Sequence, residues 1–576
     1  MEPRTPRWDV HSPVPPERVK RVMSELAHLR LTPLSVQLLA NRGLTEAADI
    51  DEFLRPPDVS GYPDPMALIG MPEAVERVSR AIEAGESIVV YGDFDADGVT
   101  STALLTLALR HFGAKVEPYV PHREREGYGL NAFAIRELAA RRTDLLITVD
   151  CGISGREEVA AAKHAGIDVI VTDHHHLPSD LPEAAACINP KQYVPGCECY
   201  RDLAGVGVAY QLVRALVKKL GKPPGLRNKD LLALVAIGTV ADVVPLRGAN
   251  RSLVQQGVAA IPDHTLPGLR TMLEFAHVDV HSIDTDKIGY TIGPRLNAAG
   301  RMDDASVAYK LLMTPHLSEA KELAQKLNAH NRARQASMNN IIDQARQRAR
   351  ALDERVKLIL LADEHWPSGV VGLVAGRIAE EFGRPALILS KGPEESRGSA
   401  RGGPHFNIVG ALEQLGHMLI KYGGHEAAAG FTVRTERIPE LNEALCRIAD
   451  EQLDDSKLEP VIRADAEITV DDVNDENFDA MGLLAPFGSG NPTPLFMARD
   501  VRVTDVIPMG DGSHLKLLLA GGLNGARPPV EAVAFRTGQH YETIRRKGRV
   551  DLLFSIERRE WKGDVHLQLK VRDMRI

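Results

Sequence analysis

No stretch of this 576-residue chain approaches the roughly 20 consecutive apolar residues that a bilayer-crossing helix needs, so a helical membrane protein is excluded. Met1 to Val19 is rich in Pro and Arg and lacks the apolar core of a secretory signal, which makes the cytoplasm the expected compartment. Cysteine is scarce and odd in number: Cys151, Cys187, Cys197, Cys199 and Cys446. No disulfide framework is expected. Cys197-Glu198-Cys199 has no second Cys/His pair at zinc spacing and reads as a reduced surface loop. Aromatics make up only 5%, and basic residues are outnumbered to a formal net charge of -9. That balance argues against a general nucleic-acid coat protein but leaves room for a local basic groove. Heptads, low-complexity tracts and solenoid repeats are also missing. What is present is a soluble globular composition, 44% hydrophobic and 26% charged, in a chain too long for one core; three or four domains are expected.

The hydrophobic pattern divides the chain. Residues 1–72 form a Pro-rich lead-in with a helical pattern at Glu17 to Leu29, expected to pack on a larger body. Over 73–250, apolar runs alternate with amphipathic stretches: strands Ile88 to Tyr91, Lys115 to Val120, Leu145 to Val149 and Val169 to Thr172, with helices at Thr100 to His111, Asn131 to Ala140 and Arg156 to Ala165. This alternation predicts βαβ units on a parallel sheet, whose chemistry gathers beyond the carboxyl ends of the strands. Residues 251–355 read as a helical connector ending in a long, weakly apolar helix that bridges two domains. A second α/β block covers 356–455. The tail, 456–576, has short strands separated by Gly-rich turns, the pattern of a small barrel.

Acids cluster where the sheet rule demands chemistry. Asp93, Asp95 and Asp97 follow Tyr91 in what reads as an extended turn closed by Gly98. Alternate side chains of such a turn aim at one point, and hard oxygen donors at this density suit Mg²⁺ or Mn²⁺. A helix cap explains one aspartate but not three. Asp150 ends the next strand, and Asp173-His174-His175-His176 ends the one after. Imidazole beside carboxylate moves the preference toward Mn²⁺ or a Mg²⁺/Mn²⁺ mixture. Asp242, inside the apolar run Gly238 to Pro245, needs a partner, with a metal and a buried cap as equal alternatives.

Two further segments suit anions. Tyr422 to Gly430 carries Gly423, Gly424 and His425; the glycines let backbone N–H groups approach a phosphate, and the small residues that follow can start a helix facing it. Arg397 to Arg401, with Ser399, lies just upstream. Gly293 to Arg301 offers Arg295, Asn297 and Arg301 on a flexible backbone. In the tail, Arg545 to Arg549 forms a basic cluster, with Phe535, Tyr541 and Trp561 as candidate stacking aromatics.

Eight segments in one order now identify a resemblance: Gly92 to Gly98, Gly127 to Leu130, Thr148 to Ser154, Thr172 to His175, Leu203 to Tyr210, Gly238 to Leu246, Gly293 to Arg301 and Tyr422 to Gly430. The chain resembles the DHH/DHHA1 phosphoesterases, and among them the bacterial branch that digests single-stranded DNA. The resemblance implies an α/β multidomain protein with a DHH parallel-sheet domain, linking helices, a DHHA1 domain and a C-terminal OB-fold barrel. It implies two ions, Mn²⁺ or Mg²⁺. One is held by Asp95 and the other by Asp97; Asp150 bridges them, His174 and Asp242 complete the second site, and His175 and Asp173 lie behind the ligands. The His that family members commonly carry four residues before the first of the paired aspartates is Tyr91 here, so either Asp93 takes over that coordination or one ion is held more loosely. The implied activity is 5′→3′ exonuclease action on single-stranded DNA in repair and recombination, by a monomer working with a single-strand-binding protein and a RecQ-type helicase. The alternatives are a phosphodiesterase of oligoribonucleotides or cyclic dinucleotides, which needs only the two α/β blocks, and a non-catalytic binding relative, which would have lost the acids.

Overall fold

The computed structural model describes every residue except 3, 124, 522–526 and 562–563; the side chains at 527, 560, 561 and 564 also lie outside the description, Trp561 among them. The chain forms two compact units. The larger comprises Asp9–Asn297, Ala305–Ala324 and Arg463–Ile576, and the smaller Met1–Trp8, Ala298–Asp304 and Gln325–Ile462. The boundary falls inside the long helix Leu317–Arg350.

In the larger unit, β1 (Ser87–Tyr91), β2 (Lys115–Tyr119), β3 (Leu145–Val149), β4 (Asp168–Thr172) and β5 (Ala186–Ile188) form a parallel sheet in the order β2-β1-β3-β4-β5. β3 is buried along its whole length, as a central parallel strand covered on both faces must be. Helix α1 (Ala96–His111) follows β1, and α2 (Gly205–Leu220), α3 (Asn228–Ala241) and α4 (Gly248–Ala260) follow β5.

The acid triplet corrects one expectation. Residues 93–97 are not an extended turn, because α1 starts at Ala96. Asp95 is its N-cap, its carboxylate accepting from the Gly98 N–H at 3.0 Å, which satisfies a donor the helix leaves open. Asp97 therefore projects from the first helical turn.

The tail closes a five-stranded barrel. Phe496–Met509 pairs with both His514–Gly521 and Arg549–Trp561, and Arg527–Ala534 and Asp564–Arg575 complete the ring. The body that receives the lead-in is this barrel: Leu38, Leu39, Ile50 and Leu54 share a core with Phe496, Leu517 and Phe554. Arg251 of α4 locks the seam. Its guanidinium donates to the carbonyls of Phe53 (2.6 Å), Leu484 (2.9 Å) and Ala485 (2.8 Å) and lies 3.8 Å from the centre of the Phe53 ring. Burial pulls its pKa down to about 10. Arg251→Met removes the charged donor shared by these carbonyls, two of which keep a second one (Asn491 Nδ2 on Leu484 O at 2.7 Å, Gln255 Nε2 on Ala485 O at 3.3 Å). The unfolding midpoint in urea should fall by the equivalent of about 1–3 kcal/mol; a midpoint at the wild-type value would show the seam is not held there.

The smaller unit has a mixed sheet of β6 (Ile359–Asp363), β7 (Ala386–Ser390), β8 (Glu395–Arg401), β9 (Leu419–His425) and β10 (Ala428–Arg434), in the order β9-β10-β8-β7-β6. Helix α5 (Ser368–Phe382) packs on it. Tyr422 to Gly430 is thus not a turn entering a helix, as expected from its small residues, but an antiparallel hairpin. A Cβ on Gly424 would lie 2.4 Å from the Ala428 carbonyl and 2.5 Å from Ala429 Cα, so glycine serves close strand approach there. Gly293–Met302 is likewise a helix and not a flexible segment; Leu296, Ala298 and Ala299 are fully buried.

A candidate metal centre at the strand ends

Asp93, Asp150 and Asp173 follow the carboxyl ends of β1, β3 and β4, Asp95 and Asp97 begin α1, and Asp242 caps the end of α3; with His174 they gather in one region. His174 Nε2 lies 3.0 Å from Asp150 Oδ1, 3.6 Å from Asp242 Oδ2 and 4.0 Å from Asp97 Oδ2. Three groups have ligand atoms within 4.8 Å of one another: Asp93 with Asp95 and Asp150, Asp97 with His174 and Asp242, and Asp150 with His174 and His175. Asp150 sits at φ +61°, a left-handed conformation that Asp tolerates better than most residues. The neighbouring helix comes close: a Cβ on Gly205 would lie 2.6 Å from Asp150 Cβ. The first N–H groups of α2 hold Asp97, with Gly205 N donating at 2.7 Å and Val206 N at 2.9 Å, an anion held at a helix N-terminus.

The electrostatics favour a cation. Burial first, and then neighbouring carboxylates, raise Asp93, Asp150 and Asp242 well above the usual carboxylate range and push Asp97 up to about 7. Burial followed by the adjacent His175 charge pulls His174 down to about 3, so its imidazole is neutral and its lone pair available. Asp93 Oδ1, Asp150 Oδ1, His174 Nε2 and Asp242 Oδ2 are buried and make no hydrogen bond. Even the 3.0 Å approach of His174 to Asp150 misses hydrogen-bond alignment. Converging lone pairs of mixed oxygen and nitrogen character fit divalent Mn²⁺ or Mg²⁺.

Behind the cluster, Asp173 accepts from the backbone N–H groups of His174 (2.7 Å), His175 (3.0 Å) and Ile153 (2.9 Å) and from His175 Nδ1 (2.7 Å). Burial works against both charges of that pair, but the hydrogen bond prevails; His175 is raised and Asp173 lowered. The charge of His175 is thus favoured by Asp173 on the face of the site. Tyr91 does not stand in for the family histidine. Its hydroxyl donates to Gly129 O at 2.9 Å, and its ring stacks on Tyr119 at 5.1 Å. Asp93 is the residue grouped with Asp95 and Asp150.

The other nominated residues divide between the units. Asn297 accepts from Ala96 N at 2.8 Å and so braces the acid segment; Arg295 donates to Thr291 O at 2.6 Å. In the smaller unit Arg301 donates to Gly369 O at 3.0 Å. Arg401 lies over α5, with Nη2 3.5 Å from where a Cβ on Gly372 would be, and donates to Ser399 Oγ at 3.2 Å. Among the described residues no carboxylate pairs with Arg401, and burial lowers its pKa. Gly423, Gly424 and His425 form the exposed edge strand. In the barrel, Arg549 pairs with Asp500, Phe535 is exposed, and Tyr541 packs against the core. Cys197 is buried, contrary to the surface-loop expectation.

Asn189 and Lys191 escaped the sequence reading, and Tyr128 stood in the Gly127 to Leu130 segment without an assigned role. Lys191 Nζ donates to His174 O, Asn189 Nδ2 to His175 O at 2.9 Å, and Tyr128 OH lies 3.1 Å from His175 Nδ1. Asn189 and Lys191 follow β5, so the strand-end rule would have found them had that three-residue strand been recognised.

Family models match in chain order: DHH family, N-terminal domain, at residues 87–239; DHHA1 domain at 355–451; and RecJ OB domain at 464–573. The single-stranded-DNA-specific exonuclease RecJ of Bacillus subtilis (strain 168) is 36% identical over 571 residues, covering 98% of this chain and 70% of that protein. The protein of the same name from Escherichia coli (strain K12) is 34% identical over 573 residues, covering 96% and 97%. The crystal structure of RecJ from Thermus thermophilus in complex with Mn²⁺ superposes with a TM-score of 0.84 at 30% identity, over 99% of this chain and 79% of that one; the Mg²⁺ complex gives 0.77 at 28%. With near-complete coverage at this identity, and all three domain models present, the chain belongs to the RecJ family of the DHH/DHHA1 phosphoesterases.

Proposed function

We propose that the protein is a metal-dependent exonuclease that hydrolyses the 5′-terminal phosphodiester of single-stranded DNA and releases mononucleotides 5′→3′. The observation that carries the reading is the set of buried, unbonded donor atoms on Asp93, Asp150, His174 and Asp242, in a chain that matches RecJ proteins along nearly its whole length. Asp93, Asp95 and Asp150 would hold one divalent cation, and Asp97, His174 and Asp242 the other, with Asp150 between them. When bound, the pair of ions supplies Lewis-acid polarisation of the phosphoryl group and acidifies water. The residues do the rest. Asp173 fixes the His175 ring in orientation beside the reacting phosphate, and Asn297 and the start of α2 hold the acid segment in place. Arg401, with Ser399 and the Gly423–His425 strand, binds a terminal phosphate; Arg295 and Arg301 grip the backbone behind it, and the barrel takes the trailing strand.

On this reading the domains are 1–72, 73–250, 251–355, 356–455 and 456–576. The protein acts as a cytoplasmic monomer in DNA repair and recombination, supplied with unpaired strands by a RecQ-type helicase and a single-strand-binding protein. No described helix is long and apolar enough to cross a membrane.

Digestion of end-labelled single- and double-stranded DNA with Mn²⁺ or Mg²⁺ tests the reading. Mononucleotides should leave the 5′ end of the single strand alone, and equal attack on a blunt duplex would overturn it. In the same assay Arg401→Met should raise KM for 5′-phosphorylated strands about 10- to 100-fold, the worth of a charge-assisted hydrogen bond. An unchanged KM would remove Arg401 from the phosphate site.

A further inference from the structure

Two local structures that break the usual rules occur at one end of α3, beside Asp242. The first is Val243. Asp242 caps the helix, its N–H donating to Gly238 O at 2.9 Å, and Val243 follows at φ +62°, its N–H 3.3 Å from Val240 O. This is the left-handed position after a helix that Gly usually fills and Asn sometimes does. A β-branched residue is a genuine outlier there, and Val243 is 68% exposed. Neither backbone preference nor core packing explains the choice.

The second is the π-helix Ile288–Ile292, a rare form that recurs at functional sites. It carries Tyr290, 83% exposed and the most exposed large hydrophobic side chain among the described residues. The segment packs on the same end of α3. A Cβ on Gly289 would lie 3.7 Å from Val240 Cγ1, and one on Gly293 would lie 3.0 Å from Ala241 Cβ. An isopropyl group held at a strained angle thus stands next to Asp242, and the segment packed on the same helix end carries an outward aromatic ring that lines a cavity with Phe478, Phe487 and Lys570; neither side chain carries charge for a phosphate.

We propose that Val243 and Tyr290 form an apolar platform that takes the face of an unpaired nucleobase in the nucleotide being cleaved. The inference rests on the exonuclease reading and adds a place where single-strandedness is recognised. An unpaired base can swing out and lay its face on an aromatic ring, and such stacking is indifferent to sequence. A base inside a duplex has its faces covered by its neighbours and its pairing edge engaged. The strain at Val243 is retained because Gly or Asn in its place would remove the contact; sparsely populated backbone conformations of this kind persist at ligand clamps.

The test compares kcat/KM for a single-stranded oligodeoxynucleotide with that for the same strand carrying an abasic residue at its 5′-terminal or adjacent position. Wild-type enzyme should prefer the intact strand about tenfold, within the range for one stacked base. In Val243→Gly, Val243→Asn and Tyr290→Ala that ratio should fall at least threefold. The two Val243 variants should also melt at or above the wild-type temperature, since both residues accept the left-handed conformation. A ratio that falls less than threefold, or a Val243 variant that melts below wild type, would overturn the platform. Failure of wild-type enzyme to degrade either strand would instead overturn the exonuclease reading.

Discussion

Asp150→Asn is expected to lower metal-dependent hydrolysis about a thousandfold or more, the rate equivalent of several kcal/mol of lost electrostatic stabilisation. Asp150 belongs to two of the three donor groups, one with Asp93 and Asp95 and the other with His174 and His175, so its loss weakens both at once. Asn keeps the volume against Gly205 and accepts the φ of +61°, which separates charge from shape. The same substitution should stabilise the metal-free protein. Burial, and then the charges of Asp97, Asp95 and Asp242, raise the folded-state pKa of Asp150. A raised carboxylate means the folded state binds more protons than the unfolded state above about pH 4, so stability falls as pH rises through that window. Asn removes that penalty. In EDTA the variant should melt higher than wild type at pH 8 and near it at pH 4, and Mn²⁺ should raise its melting temperature far less than the wild type's. Hydrolysis within tenfold of wild type, or a metal-free variant that melts lower at pH 8, would sink the assignment.

The legible part of the site was its dependence on strand ends. β3 coincides with the expected Leu145 to Val149 and β4 differs by one residue, because strands buried on both faces show as continuous apolar runs. Asp150, Asp173 and His174 were placed by that alone. The start of α1 was harder to see. Gly98 reads as the close of a turn and the helix is expected only from Thr100, yet it begins at Ala96, where Thr100 Oγ1 donates to Ala96 O at 2.8 Å and Thr102 Oγ1 to Gly98 O at 2.7 Å. Both hydroxyls are satisfied inside the helix, an outcome that depends on burial and not on local propensity. Lys191 was out of reach because Ala-Cys-Ile is too short to show a strand period.

The smaller unit was misread in its details for a tertiary reason. Ala427, Ala428 and Ala429 favour helix when considered locally. Their neighbours in space are strand partners: Ala429 faces Ala400 across β8, and Gly430 faces Ser399. Small residues serve close pairing of an interior strand here. At Gly293–Met302 the glycines suggested mobility, but buried Leu296 and Ala299 commit the segment to a helix.

Ending the chain at Leu458 should not yield a nuclease that merely binds DNA less well; it should yield a chain that aggregates. The eight buried lead-in residues Val22, Leu26, Leu31, Val36, Leu38, Leu39, Ile50 and Leu54 belong to the same core as the barrel's Phe496, Leu517, Phe554 and Leu569. Exposing a large apolar side chain costs about 1.5–3 kcal/mol, so uncovering even half of these approaches the whole stability of an ordinary domain, about 5–15 kcal/mol. Polar ties are lost as well: Arg42 to Asp465 and Pro492 O, Asn41 to Asp465, and Arg251 to Leu484 O and Ala485 O. Removing the lead-in together with the tail, as residues 72–458, deletes both halves of that core and leaves Arg251 to solvent. The doubly shortened chain should therefore remain soluble and monomeric, while residues 1–458 should bind a hydrophobic dye and elute as aggregate in size-exclusion chromatography. If residues 1–458 instead run as a monomer that melts with the cooperativity of the full chain, the shared core does not hold the lead-in. The barrel would then be a separable DNA-binding module, and its loss would show only as weaker, less salt-dependent binding.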